Sequence, residues 1–382
     1  MVLKKIKIAH ILHSVGGVDI YVRFVLDNID NCKFCSLVLH GKHDTNQPFL
    51  DKDKEPVKAY TTSIVRDISI VKDLKAIFEI YNILKKERPD IIHTHSAKGG
   101  IMGRIVGRLL NIKVIHTPHA FSFLSAETKI KRKIFILIEM FFSKGHGLLL
   151  ATSNSELNRG LNEVKFDPKN AFYLNNSINS IKSIPNLSIP RTWPKEYICT
   201  VGRPSYQKNI ELMINILEKI NEFREVHLVI MGVGPVSYRL SNVQDLIKKK
   251  NLEEKVTLIN WTNRDNILNI INDSRFYIST ARYEGMPYSI IESLALSKPC
   301  LVSNCDGNVD LIEDGFNGFI VSDENIDTFV EKAIYLLSDE NALKQFSINA
   351  FTSFNEDYNI SKNIIKLEEF YKEHSIINNR KN

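Results

Sequence analysis

No stretch of this chain approaches the roughly 18 uncharged apolar residues a membrane-spanning helix requires. The nearest, residues 134–142, is shorter and interrupted by Glu139. Cysteine is scarce: five residues among 382, an odd number, which argues against a disulfide framework. No leader-like segment opens the chain, because Met-Val-Leu-Lys-Lys-Ile-Lys-Ile runs straight into an apolar strand pattern. These absences predict a soluble protein of a reducing, cytoplasmic compartment. The G-x-G-x-x-G dinucleotide fingerprint is missing too. The net charge of +6 is too small to argue for a nucleic-acid partner.

What is present is ordinary globular composition, 43% apolar and 25% charged, at a length that suggests two domains. The charge divides unevenly. Residues 1–175 hold 27 Lys and Arg against 17 Asp and Glu, a net of +10, whereas residues 176–382 hold 23 against 27, a net of −4. Short β-rich runs at 6–12, 36–39, 91–94, 113–117 and 147–151 alternate with helical patterns near 17–29, 70–87, 98–110 and 127–144. Six more strands are predicted at 197–201, 227–231, 256–259, 276–279, 300–303 and 318–321. Such alternation predicts an α/β fold with two Rossmann-like, doubly wound parallel sheets. Pro185, Pro190 and Pro194 punctuate the stretch between the halves. The predicted division is therefore 1–178, a linker at 179–195, and 196–357, with a last helix at 358–375 returning to the first domain.

Three segments carry chemistry. In EGMPYSIIESLALSKP (284–299), Gly285, Met286 and Pro287 precede a helix that begins near Tyr288 and Ser289. Its first amides and the positive end of its dipole suit a phosphate, and Glu292, a turn further on, suits ribose hydroxyls. A plain Gly-Pro turn opening a core helix is the simpler alternative for this piece alone. In GRPSYQK (202–208), Arg203 and Lys208 stand five residues apart on a loop that leaves a strand, a fork and a point charge fit for neighbouring phosphates. In HSVGGVDIYV (13–22), Gly16 and Gly17 permit close approach of a ligand, or simply form a βα turn.

Together with HTPHAFSF (116–123), MGVGP (231–235) and SNCDGNVDLIEDGFNGFIV (303–321), these segments resemble family 4 of the glycosyltransferases, the retaining enzymes of the two-domain GT-B fold. The resemblance covers nearly the whole chain and is strongest over 200–325. It implies two domains facing across a cleft and transfer of a sugar from a nucleotide-diphosphate sugar to an acceptor hydroxyl with retained configuration, without a metal or other cofactor. By the same resemblance Arg203 and Lys208 bind the donor diphosphate, and Glu284 faces the donor sugar. Glu292 takes the ribose, and His119 lies near sugar and acceptor. Gly16, Gly17, Gly234 and residues 285–289 complete the donor site. Asp19, Asn209 and Val233 stand where the family more often has Glu, Gly and an acidic residue.

Other signals are weaker. Cys32 and Cys35 form a C-x-x-C without a second pair, and Asp51 and Asp53 form a D-x-D inside the charged loop DKDKEP; neither reads as a metal site. His93, His95, His116 and His119 fall at two strand ends without helical spacing; His93 reads as packed and His119 as a hydrogen-bond donor. Gly99, Gly103 and Gly107 recur every fourth residue, which suits close helix–sheet packing. The stretch from Lys129 to Lys144 joins cations to apolar residues; it suits either an anionic membrane surface or a packed helix. The reading is a peripheral enzyme of bacterial surface polysaccharide synthesis, such as lipopolysaccharide or capsule, acting on a glycan or lipid-linked acceptor. A nucleotide-sugar epimerase of the same fold, or a non-catalytic nucleotide-sugar binding protein, is the alternative.

Overall fold

A computed structural model describes residues 4–13, 16–65, 69–145, 147–234 and 237–375. The chain divides into two compact units, Met1–Asn179 joined by Ile360–Asn382, and Ser180–Asn359. The first unit holds seven strands: β1 (Ile6–Ile11), β2 (Phe34–Gly41), β3 (Lys58–Thr62), β4 (Ile91–His95), β5 (Lys113–Thr117), β6 (Gly147–Ala151) and β7 (Ala171–Tyr173). All pair in parallel, in the order β3-β2-β1-β4-β5-β6-β7. Its helices so far are α1 (Gly17–Asn28), α2 (Ile70–Glu87), α3 (Ser96–Leu110), α4 (Lys129–Ser143) and α5 (Asn154–Asn162).

The second unit has β8 (Tyr197–Val201), β9 (His227–Val233), β10 (Val256–Asn260), β11 (Tyr277–Ser279), β12 (Cys300–Ser303) and β13 (Gly318–Val321), again all parallel, ordered β10-β9-β8-β11-β12-β13. Around it lie α6 (Ile210–Phe223), α7 (Leu240–Lys249), α8 (Arg264–Asp273), α9 (Tyr288–Ala295), α10 (Asn308–Leu311), α11 (Ile326–Ser338) and α12 (Glu340–Ser353). After a single π-type turn the chain returns to the first unit as α13 (Ile360–His374). There Tyr371 is buried, and Glu368 accepts a hydrogen bond from the Asp30 amide at 2.9 Å.

Each sheet changes winding direction once, between β1 and β4 in the first unit and between β8 and β11 in the second. Strands on either side of such a point send their loops apart, leaving a crevice at the carboxyl edge. The cores explain the strand pattern: Ile198, Leu228, Ile230, Ile278 and Leu301 are buried in one cluster with α6 and α11, and the alternating Tyr197, Val229, Tyr277 and Cys300 are buried as well; burial on both faces makes parallel strands continuously apolar.

Two strands escape a reading based on apolar runs. β3 is a largely exposed edge and β7 has three residues, so neither carries a buried stripe. α3 starts at Ser96 rather than 98 because His95 ends β4 and serves as its N-cap. The glycines at 99, 103 and 107, which recur every fourth residue, lie on the sheet. A Cβ at Gly99 would meet the Ile11 carbonyl at 2.7 Å, at Gly103 the Thr94 methyl at 2.1 Å, and at Gly107 the Val114 methyl at 2.2 Å.

Candidate functional site

In the second unit the crevice is built by loops that lock onto one another. Gly202 follows β8, and a side chain there would strike the Lys208 stem, with Cγ and Cδ only 3.0 Å from its Cβ. Its lack of a side chain lets Lys208 lie back over the strand end. Lys208 Nζ then sits 2.7 Å from Glu284 Oε1, in close ion contact but without a well-aligned hydrogen bond. Gln207 donates to Glu284 Oε2 at 3.2 Å and to the Tyr283 carbonyl at 3.1 Å. Burial works against the Lys208 charge, yet the Glu284 carboxylate outweighs it and the ammonium pKa is raised. Asn209 next to it is left-handed, φ 50°, a conformation Asn tolerates and Gly takes freely.

Arg203 is partly exposed and makes no ion pair among the described residues. Its charge lies close enough to Tyr283 to favour the phenolate, against the burial that pushes that phenol up to about 12. Gly232, at φ 93°, turns the β9 loop past Gly202 and Arg203. Gly234 leaves room for the indole of Trp261, whose Nε1 would lie 2.8 Å from a Cβ there. The indole N–H donates to the Gly232 carbonyl at 3.0 Å while the ring stays 61% exposed.

On the other side of the switch point, Glu284 through Pro287 lead into α9. Pro287 is its N-cap (φ −73°, ψ 122°), its extended ψ leading into the helix. Tyr288 opens the helix, and Ser289 Oγ accepts from the Tyr277 hydroxyl at 2.9 Å. Gly285, beside Met286, packs against Gly307, where a Cβ would lie 2.6 Å from the Gly285 carbonyl. Glu292 is buried and Arg264 donates to its Oε1 at 2.7 Å. One Glu292 oxygen is therefore held by a guanidinium. Burial raises the Glu292 pKa against the pull of Arg264.

In the first unit Gly16 is the N-cap of α1 with φ 61° and ψ −133°, a region only glycine occupies readily, and among the described residues no atom beyond its chain neighbours lies within 4 Å of where a Cβ would stand. Gly17 begins the helix. His119 follows β5 in a left-handed conformation, φ 54°, and so does Ala120 at φ 75°. The Ala120 amide donates to Glu156 Oε1 at 2.6 Å, and the His119 ring meets the Tyr21 ring at 4.8 Å, edge to face. Its Nε2 lies 3.2 Å from His95 Nδ1.

Among the described residues one group has metal-ligand geometry: His10, His93 and His95, all buried, with ring nitrogens within 4.8 Å of one another. Both His93 nitrogens are already spent, Nδ1 on the Tyr371 hydroxyl at 2.6 Å and Nε2 on Thr117 Oγ1 at 2.8 Å. Asp51 of the D-x-D accepts from the Asp53 and Glu55 amides, so its carboxylate shapes a turn. Cys32 and Cys35 are free and exposed.

Residues 189–353 match the family model described as glycosyl transferases group 1, and residues 39–180 that of glycosyltransferase family 4. The chain is 30% identical, over 96% of its length and 97% of the relative's, to a UDP-Gal:alpha-D-GlcNAc-diphosphoundecaprenol alpha-1,3-galactosyltransferase of Escherichia coli. Its fold is similar to sucrose-phosphate synthase of Thermosynechococcus elongatus (TM-score 0.82, 16% identity, 97% and 99% of the two chains). It is also similar to Anabaena Alr3699/HepE in complex with UDP and glucose (TM-score 0.78, 14% identity, 96% and 99%). Two doubly wound parallel sheets of this form define the GT-B class. Within that class the chain belongs to the group 1, family 4 glycosyltransferases. Arg264, Trp261 and His10 escaped the sequence reading, since each is a lone residue whose partners lie far along the chain.

Proposed function

We propose that this glycosyltransferase moves a hexose from a UDP-sugar to a hydroxyl of a polyprenyl-diphosphate-linked glycan in bacterial surface polysaccharide synthesis, with retained anomeric configuration and without a metal ion. The observation that carries the reading is the meeting of Arg203, Lys208 and the start of α9 at the switch point of one sheet. The Escherichia coli relative, named for UDP-Gal and a diphosphoundecaprenol-linked acceptor, supports the choice of substrates.

Charge builds on the diphosphate as the glycosidic bond breaks, so preorganised cations and helix amides stabilise the transition state more than the ground state. Arg203, with no ion partner among the described residues, and Lys208, paired with Glu284, take the phosphates. Trp261 offers its exposed ring to the base, and Glu292 offers its second oxygen to the ribose while Arg264 holds the first. Glu284 and His119 attend the transferred sugar. The C1–phosphate bond breaks with its electron pair leaving on the diphosphate. The acceptor oxygen bonds C1 on the same face, and its proton passes to a phosphate oxygen.

α4 supports docking on an anionic membrane surface. Ile130, Ile134, Leu137 and Phe141 form one stripe at helical spacing, each at least half exposed, and Lys129, Lys131, Lys133 and Lys144 border it. Beside the stripe a groove of about 550 Å³ is lined by Arg104, Arg108, Leu109, Phe141 and Phe142. Among the described residues no helix is long and apolar enough to cross a membrane.

The test is a panel of UDP-hexoses, UDP-galactose first, incubated with lipid-diphosphate-linked N-acetylglucosamine in the presence of EDTA. The expected product is an α-linked disaccharide formed at an undiminished rate. A β-linked product, or loss of turnover with EDTA, overturns retention or metal independence respectively. An epimerised donor formed without acceptor supports the epimerase instead.

A further inference from the structure

The first unit places a row of imidazoles across its own switch point. His10 on β1 and His95 at the end of β4 belong to neighbouring strands, and His119 follows β5, the next strand over. His119 Nε2 lies 3.2 Å from His95 Nδ1, and His95 Nε2 lies 3.1 Å from His10 Nδ1. The rings stack at 5.4 Å with interplanar angles of 26° and 18°. The row ends at His10 Nε2, which is buried without a partner among the described residues. Burial keeps all three neutral, pressing His10 and His119 to about 3 and His95 well below its usual value.

A neutral imidazole has one donor and one acceptor nitrogen, so only two proton arrangements satisfy both contacts. In one, His10 Nδ1–H donates to His95 Nε2, His95 Nδ1–H donates to His119 Nε2, and His119 carries its proton on Nδ1. In the other every proton is shifted, His119 carries its proton on Nε2, and His10 Nε2–H is the orphan. The end of the row decides. The first arrangement strands a lone pair at His10, the second strands a buried N–H, and orphaned buried N–H groups are the rarer and costlier defect. His93 offers no relief. The Thr117 hydroxyl donates to the Leu150 carbonyl at 2.8 Å, so His93 Nε2–H must donate to Thr117 while Nδ1 accepts from Tyr371.

We infer that His95, backed by His10, is a positioning residue that fixes His119 as the Nδ1–H tautomer, making that N–H the group His119 offers to an oxygen of the donor sugar. The hydrogen bond at one ring nitrogen sets the proton on the other. The Glu156–Ala120 bond and the Tyr21 ring edge restrain the backbone and the ring of the same residue. The inference rests on His119 attending the transferred sugar.

The test reads tautomers directly, by long-range 1H–15N correlation on the full chain labelled with 15N-histidine, the His119 signals being assigned by their loss in His119→Gln. In the unsubstituted protein His119 is expected as Nδ1–H. His95→Phe removes the donor, and the His119 population shifts toward Nε2–H. Its kcat falls about tenfold with donor KM within about twofold, as expected when a reacting group loses its fixed geometry. His95→Gln keeps an amide N–H and restores most of the rate. An Nε2–H tautomer in the unsubstituted protein, or no change in His95→Phe, overturns the inference, as does stoichiometric zinc on His10, His93 and His95. Should His95→Phe fail to fold, the unsubstituted spectrum and His10→Phe, in which His119 is expected to lose tautomer selectivity, decide. Full turnover by His119→Ala would sink the role of His119 at the sugar, while the spectra still judge the tautomer.

Discussion

Lys208 and Arg203 are both cations beside the same loop, yet the fold treats them differently. Lys208 has a carboxylate at 2.7 Å, whereas Arg203 keeps its fork unpaired among the described residues. Arg203→Ala removes the proposed phosphate partner and strands no ion partner among the described residues. Lys208→Ala also strips Glu284 of its counter-ion. Each substitution is expected to lower kcat by on the order of a hundredfold, with the melting temperature preserved better in Arg203→Ala. Steady-state kinetics with a UDP-hexose checks this, and near-unchanged rates would remove both from the leaving-group site. These two residues were legible because they share one short loop with a glycine. Arg264 lay out of sight: it meets Glu292 from 28 positions away, and a lone arginine at a helix start carries no local signal.

At the scale of the element, α3 and α4 look alike in sequence, each mixing cations with small or apolar residues, but they bury opposite features. α3 presses its glycines onto β1, β4 and β5, and its Arg104 pairs with Glu139 of α4 in the interior at 2.8 Å. α4 leaves Ile130 and Phe141 at least 70% exposed. An apolar stripe of this kind, bordered by lysines, costs solubility unless something covers it. Lys129, Lys131 and Lys133 changed together to Glu are therefore expected to abolish co-sedimentation with anionic liposomes while leaving the fold intact. Each lysine near such a surface is worth about 1 kcal/mol. Binding that survives the change would rule out this face. Period and composition announced both helices; which stripe faces inward depended on the sheet beneath.

The whole molecule carries an acid liability. His10, His93, His95 and His116 are buried and held neutral, chiefly by loss of solvent, with pKa values well below the ordinary 6.5. The unfolded chain protonates them near 6.5, the folded one resists. Stability from this source is therefore complete above pH 6.5 and is lost progressively as pH falls below it, for His10 down to about 3. The slope is about 1.4 kcal/mol per pH unit for each imidazole. Denaturant unfolding at pH 7.0 and 5.5, above the range where carboxylates titrate, is expected to show a loss of roughly 4–5 kcal/mol. A flat response would mean the cluster is hydrated or already charged.

The sequence by itself determined the alternation of strands and helices, the apolar core strands, and the loops whose glycines and cations follow a strand within a few residues. It also set the charge contrast of +10 against −4 between the two parts of the chain. All of these depend on neighbours in the chain. The tertiary structure alone decided which lone residues meet. It brought Arg264 to Glu292, Trp261 to Gly234, Tyr371 of the returning helix to His93, and His10 and His95 to His119. The physical reason is strand order. A parallel sheet that winds outward in both directions from β1 and β4 sets side by side residues that are some 80 positions apart in the chain, and no local pattern records that distance.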